Sequence, residues 1–439
     1  MSKPALIFLQ LNEINFQIVR RYVEHHHDLP GFARLFEQFR SFETYAESEY
    51  SKLEPWIQWV SAHTGRTYAD HGVFRLGDIV RTQEDITQVF EALESRGLRV
   101  GAISPMNARN RLNRPAYFLP DPWTDTPSDP SGFSRRLTHM LRQTVNENAS
   151  GRISASSLVT IAEAVVRTFS PGRTWDLLRT IAATRKAPWL KSLVLDQLLH
   201  LVHRSLWFHT RPDVSFVFLN AGAHVQHHYL FNSEFSGTKA RNPAWYVPGD
   251  ADPVRDMLRV YDRILSDYLA LADSGVRLLV ATGLSQVPYD RVKFYYRLRD
   301  HGVFLAQAGI RFTRVQPRMT RDFEFDCENE ADAQSAHAAL KRMSLARDGL
   351  PLFNDVELRG QSVFATLTYP NEILPDDDAL LDGRTIAGFG RSVDFVAIKN
   401  GMHSTRGFAF VSPNISSASV PPQPVHVASL FGVTMSAAG

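Results

Sequence analysis

Four short apolar runs set the terms on which this chain can fold: ALIFLQL at 5–11, LRVGAIS at 98–104, VSFVFL at 214–219 and VRLLVAT at 276–282. Each is continuous rather than alternating, the pattern of a strand buried on both faces, as in a parallel sheet covered by helices. Helical segments with apolar residues at core spacing lie between them: FARLFEQF, DITQVFEALESR over 85–96 closed by Gly97, and DMLRVYDRILSDYLALA. Strand and helix therefore alternate. The fold class read from this rhythm is α/β, a mostly parallel central sheet sandwiched by helices. At 439 residues, 44% of them hydrophobic, the chain can fill one large core and still carry insertions.

Two stretches break the rhythm. Residues 131–210 run through long helical patterns such as SSLVTIAEAVVRTF and SLVLDQLLHLVHRSLWF, and read as an inserted helical subdomain. Residues 313–372 contain DFEFDCE, the helix ADAQSAHAALKRM and the strands VELRG and SVFATLTY, and read as a small α+β insertion, with Pro317-Arg318-Met319-Thr320-Arg321 at its entrance. The tail SSASVPPQPVHVASLFGVTMSAAG is expected to lie on the surface as a Pro-rich linker.

Charge and cysteine content narrow the function classes. Lys and Arg total 48 against 46 Asp and Glu, a formal +2, so no whole-chain field attracts a nucleic acid polymer or an anionic membrane. Any selectivity for anions must be local. The single cysteine, Cys327, rules out an internal disulfide and a multi-cysteine metal site, and fits a reducing compartment. The opening MSKPALIFLQLNEINF is too short in its apolar run for a signal peptide, and no stretch has the length of a membrane span. A soluble, cytoplasmic protein is the expectation.

Polar residues gather where strands end, the edge at which open α/β sheets bind ligands. Asn12 and Glu13 follow the first run, Asn220 the third, and Ser285 and Gln286 come shortly after the fourth. If a helix begins after Asn220, His224 and His228 lie four apart on one face with His227 beside them, a spacing by which imidazoles share a metal. The run His25-His26-His27 reads instead as a solvated helix end, since consecutive residues point to different faces. Residues 49–78 add a second constellation. Pro55 suits the first turn of a helix, which places Glu54 at its N-cap, and helical spacing continues to a stop at Gly65. Glu54 is then either a cap that complements the helix dipole or a carboxylate presented for chemistry.

In order and spacing these features resemble the alkaline phosphatase superfamily, in particular its type I phosphodiesterase and nucleotide pyrophosphatase branch. The carriers are the first strand with its polar end, the helix PGFARL, the Trp59, Ser61, Thr64, Gly65 pattern, His71-Gly72-Val73, His227 after a strand, and Gly401-Met402-His403. That family typically binds two metal ions. Here Asn12 stands for the first metal-binding Asp, Glu54-Pro55 occupies the nucleophile region, Ala223 replaces a second Asp, and Gly283-Leu284 replaces an Asp-His pair. Neutral amides and imidazoles cannot balance two divalent ions in a dry cavity. What survives accommodates at most one, zinc by chemistry, held by His227 and His403 with His224 or His228, and with Glu13 or Glu54 as oxygen donor.

The resemblance implies a divergent hydrolase or transferase of phosphate or sulfate esters acting on a small anionic, sugar- or nucleotide-like substrate. Glu54, Glu13 and His224 are the candidate catalytic groups, and His227, His403 and His228 the candidate metal ligands. Asn12, Asn220, Gln286, Arg66, Arg75, Arg318 and Arg321 are candidate substrate contacts, the arginines because guanidinium pairs with oxyanions in bidentate fashion. The competing reading is a non-catalytic protein that keeps the cleft to bind an anionic sugar or nucleotide. The oligomeric state is not legible.

Overall fold

The computed structural model describes residues 5–81, 85–146, 154–318, 321–420 and 422–439. Residues 1–4, at the head of the stretch read for targeting, and Met319-Thr320 lie outside them. The chain packs as two units: Met1–Gly237, Val247–Pro288 and Gly401–Gly439 form the first, Thr238–Tyr246 and Tyr289–Asn400 the second.

The first unit is built on strands β1 (Leu6–Leu11), β2 (Arg40–Tyr45), β3 (Val100–Ile103), β4 (Tyr117–Leu119), β5 (Val214–Leu219) and β6 (Arg277–Ala281). With the strands Arg406–Val411 and Val425–His426 they make one eight-stranded sheet, ordered Val425–His426, β2, Arg406–Val411, β6, β1, β5, β3, β4. β1 pairs in parallel with β5 on one side and β6 on the other, Leu11 facing Leu219 and Gln10 facing Ala281. Only Arg406–Val411 runs against its neighbours among these strands. The sheet is mostly parallel, as the continuous apolar runs require, because a strand with neighbours in its own plane and helices on both faces offers no side to water. All six residues of β1 are buried.

Large aromatic side chains fill the space beneath the helices. Phe8 meets Trp59 and Phe216 at centroid distances of 6.2 and 5.8 Å, and Trp59 meets Phe218 edge-on at 5.6 Å. Burial of such rings contributes about 1.5–3 kcal/mol each. Trp59 belongs to the helix Pro55–Thr64, which begins with Pro55 in its first turn and ends at Gly65, left-handed at φ 70°. A Cβ there would also stand 3.1 Å from the Phe431 ring.

Three local expectations change. The helix expected over 85–96 is Val89–Ser95, because Gln88 and Glu91 form a capping box that fixes its start, with Gln88 also bonded to the Arg109 carbonyl. The run at 98–104 is a strand only over Val100–Ile103. The tail is not a surface linker: Ser429–Ala438 is a helix whose Leu430, Val433 and Met435 join the main core, since SLFGVTM is too apolar to remain in water.

The second unit has its own core. An antiparallel sheet in the order Asp355–Arg359, Ser362–Thr366, Asp322–Asp326, Arg314–Pro317 packs with the helix Glu330–Arg342 around Phe323, Phe325, Leu340 and Val363. Among the described residues no helix is long and apolar enough to cross a membrane.

Two buried histidines are held neutral within the first unit. Gln10 donates its side-chain amide to His63 Nε2 at 2.8 Å, so the His63 proton sits on Nδ1, which has no partner. The Val73 amide donates to His71 Nδ1, and His71 Nε2–H then faces Ser61 Oγ at 3.0 Å. His71 is thus a donor to Ser61, not a base. Burial pushes their pKa values down, to about 3 for His63 and about 4 for His71. In the unfolded chain both take up protons below about 6.5, so their contribution to stability is complete above that pH and is lost as pH falls towards the folded values. Between pH 6.5 and 5 the loss from His63 is about 2 kcal/mol. Melting curves across this range should show the decline, and His63→Gln, which keeps an acceptor for Gln10, should flatten it.

Candidate functional site

The backbone turns sharply where β1 ends. Glu13 takes a left-handed conformation, φ 60°, rare for a residue with a side chain. Its amide is held by the Thr282 carbonyl at 3.1 Å, and its own carbonyl by Gln226 Nε2 at 2.9 Å. Gln226 also accepts from the Asn15 amide, and Asn15 Nδ2 donates to the Gln286 carbonyl. The ends of β1, β5 and β6 are thereby laced together around one carboxylate.

That carboxylate, 1% exposed, faces two imidazoles. Glu13 Oε2 lies 3.1 Å from His227 Nε2 and 3.2 Å from His403 Nε2, and the two nitrogens are 3.3 Å apart. His227 comes from the helix Ala221–Tyr229 that starts at the end of β5, and His403 from the strand Val393–Ser404. The far side of each ring is turned to an acceptor. His227 Nδ1 faces the Gly401 carbonyl at 3.1 Å, and His403 Nδ1 faces Glu54 Oε2 at 3.6 Å. With the ring protons on Nδ1, the tautomer that binds a metal, both Nε2 lone pairs point at Glu13; with a proton on Nε2, each ring instead donates to it. In the first tautomer, three acceptors directed at one point repel unless positive charge lies among them. Zinc ligands about 2.0–2.1 Å from the ion stand roughly 3.3 Å apart in a tetrahedral shell, and outward Nδ1–H bonds to a carbonyl or carboxylate are the usual support of metal-binding imidazoles. The residues fit a single divalent ion. Among the described residues, Glu13, His227 and His403 are the group placed to hold one.

Burial alone would raise the Glu13 carboxyl, but protonated His403 and His227 rings, which attract it and donate to it, outweigh burial and hold the group well below the ordinary range. Gln286 Nε2 donates to Glu13 Oε2 at 2.6 Å and Asn12 Nδ2 to Oε1 at 3.0 Å. Asn12 also donates to Asn220 Oδ1 and accepts from Trp59 Nε1, both within 2.8 Å. Asn12 and Gln286 are thus occupied in orienting Glu13. The helix carrying His227 is anchored at its start by Asp196, which accepts from the Ala221 amide and the Tyr261 hydroxyl. Burial raises the Asp196 pKa to about 6.

Glu54 sits at the N-cap of the helix Pro55–Thr64 and makes no side-chain capping bond; its carboxylate is one-third exposed on the His403 side of the site. His224 and His228 face each other, ring centroids 4.7 Å apart, and His224 is exposed. Arg66 and Arg75 are exposed residues of the first unit. Arg318 and Arg321 belong to the second unit, where Arg318 pairs with Glu324 and Arg321 lies over the Tyr295 ring. Sequence reasoning reaches Gln226 as one of the polar residues at the strand-end edge, but not Asp196 or Tyr261. The amide-rich strand ends hinted at Gln226, but nothing in sequence connects Asp196 to a helix beginning twenty-five residues later.

The fold and these side chains define an α/β protein with one buried carboxylate and two imidazoles at the carboxyl edge of a mostly parallel sheet. Comparison of the whole chain with solved structures returns phosphonoacetate hydrolase from Sinorhizobium meliloti 1021, at 12% identity and TM-score 0.45, covering 100% of this chain and 96% of that one. It also returns murine ectonucleotide pyrophosphatase/phosphodiesterase 5, at 9% identity and TM-score 0.37 with 93% and 88% covered, and the wild-type alkaline phosphatase PafA, at 12% and 0.41 with 98% and 94% covered. No family model and no curated protein matches the chain.

Gly401 is the tightest point of the site. A Cβ there would stand 2.1 Å from Gln286 Oε1 and 2.8 Å from the Gln226 carbonyl. Gly401→Ala should therefore cost about 1–3 kcal/mol in unfolding free energy, measured by denaturant titration; Gly249→Ala, with open space around it, should cost less.

Proposed function

We propose that Glu13, His227 and His403 hold one divalent ion, zinc by preference, in a site that hydrolyses or transfers a phosphate or sulfate ester of a small anionic substrate. The observation that carries this reading is the triangle of Oε2 and two Nε2 atoms with edges of 3.1, 3.2 and 3.3 Å, with the Gly401 carbonyl behind the His227 ring. A bound ion would supply charge neutralisation and polarisation of an ester oxygen. The chain's own groups do the rest. Glu54 stands at the open side of the site and takes the proton of the attacking hydroxyl, or attacks directly as a carboxylate nucleophile. His224, exposed one turn before His228 on the helix that carries His227, supplies a proton to the departing oxygen. Arg66 and Arg75 are the proposed contacts of an oxyanion. Asn12 and Gln286 keep Glu13 in place, and Asn220 braces Asn12.

One observation favours the second reading, a protein that binds an anionic sugar or nucleotide without turnover. Leu53-Glu54-Pro55 offers no hydroxyl nucleophile, and a carboxylate in that role must be made reactive by its surroundings.

Two measurements separate these readings. Purified without chelator, the protein should carry about one zinc or similar ion per chain, and a hundredfold excess of the ion over its Kd should stabilise the fold by about 2.7 kcal/mol. Glu13→Gln and His227→Ala should lose both the ion and the stabilisation. On a panel of aryl phosphodiesters, phosphate monoesters and sulfate esters, Glu54→Gln should abolish turnover while keeping the ion. Ligand binding without turnover in the parent protein would establish the binder, and absence of any metal effect would remove the metal site.

A further inference from the structure

The helices between β4 and β5 expose apolar side chains that the fold leaves unused. In Ala155–Arg167, residues Leu158, Val159 and Val166 point outward with Ala162, all within about 100° of arc around the helix. Phe169 follows in the short link, and Trp175 and Leu178 project from Pro171–Ala183. These six large side chains are between 47% and 75% exposed. Scattered exposed apolar residues are ordinary in folded proteins, but six within two consecutive helices and the link between them form a concentration that needs a partner.

The charge around them says which partner. Residues 131–211 hold twelve Arg and Lys against four Asp and Glu, a net of +8 in a chain whose total is +2. On the two apolar helices the acids are neutralised: Glu163 pairs with Arg136 and Arg167, and Asp176 faces Arg263. Arg179, Arg185 and Lys186 are exposed, and Arg179 lies over the Trp175 ring at 5.3 Å. Among the described residues these three cations make no ion pair. An aromatic and aliphatic surface fringed by unpaired cations, with no free carboxylate, matches a layer whose outer face is anionic and whose interior is hydrocarbon. Each helix has 13 residues, too short to span a bilayer but long enough to lie at its surface.

We propose that the helices Ala155–Arg167 and Pro171–Ala183 form a docking surface for an anionic phospholipid membrane. The apolar side chains enter the acyl boundary while Arg179, Arg185 and Lys186 meet phosphate groups. This inference is independent of the chemistry at Glu13, His227 and His403. It accords with the near-neutral whole chain, because the attraction is local to this segment.

The test uses the full chain and sedimentation with vesicles of phosphatidylcholine alone or mixed with phosphatidylglycerol. Binding is expected to the mixed vesicles at about 0.1 M salt, at least about tenfold stronger than to the neutral ones, and to weaken as salt shortens the screening length. The triple variant Val159→Ser/Val166→Ser/Trp175→Ser should lose about tenfold or more in vesicle binding with its melting temperature retained. Arg185→Glu/Lys186→Glu should lose binding to anionic vesicles without touching the apolar face. Failure of the parent protein to sediment with mixed vesicles would overturn the proposal, as would sedimentation unchanged in both variants. A concentration-dependent dimer by light scattering, abolished by the triple variant in a protein that ignores vesicles, would reassign the face to a second copy of the chain.

Discussion

The structure of the site depends on one buried carboxylate. Glu13 is almost wholly withdrawn from water, and an ionised carboxylate in that position is costly unless cations or donors surround it. Two amide side chains and two imidazoles do so, and they arrive from four separate parts of the chain: Asn12 beside it, Gln286 after β6, His227 after β5, and His403 late in sequence. The strained turn at Glu13 is what aims the carboxylate inward. It persists because neighbouring strand ends hold the peptide groups on either side of it.

Charge balance explains the rest of the site's composition. A single carboxylate beside two imidazoles brings one negative charge, and neutralising two divalent ions there would need further anions. Among the groups around Glu13, Asn12 and Gln286 are neutral amides already bonded within the protein, and position 223 is alanine. The one remaining carboxylate nearby, Glu54, lies outside the triangle and addresses the back of His403. The polar edge of the sheet is therefore mostly bonded within itself, with Gln286 Oε1 buried and without a partner.

Neutral buried histidines contribute in a different way. His63 and His71 hold the helix Pro55–Thr64 against β1 and the following turn, His63 by accepting from Gln10 and His71 by accepting from the Val73 amide and donating to Ser61. They carry no charge in the core, and so they make this segment dependent on pH without taking part in the chemistry that Glu54, at the head of the same helix, is positioned to perform.

Much of the fold follows from local sequence. Continuous apolar runs can be buried only between helices, so β1, β3, β5 and β6 and their parallel arrangement were legible, and Pro55 and Gly65 bound their helix through backbone conformations those residues prefer. The polar strand ends likewise pointed to the right edge of the sheet. β2, with its alternating RSFETY, and the apolar helix hidden behind the Pro-rich tail were not legible, because their burial is set by distant neighbours. The sequence by itself determined which residue types stand at the strand ends, amides and imidazoles with few carboxylates among them. Only the tertiary structure decided that Glu13, rather than Glu54, stands as the oxygen donor beside His227 and His403, because that choice rests on a left-handed backbone turn and on hydrogen bonds between residues more than two hundred positions apart.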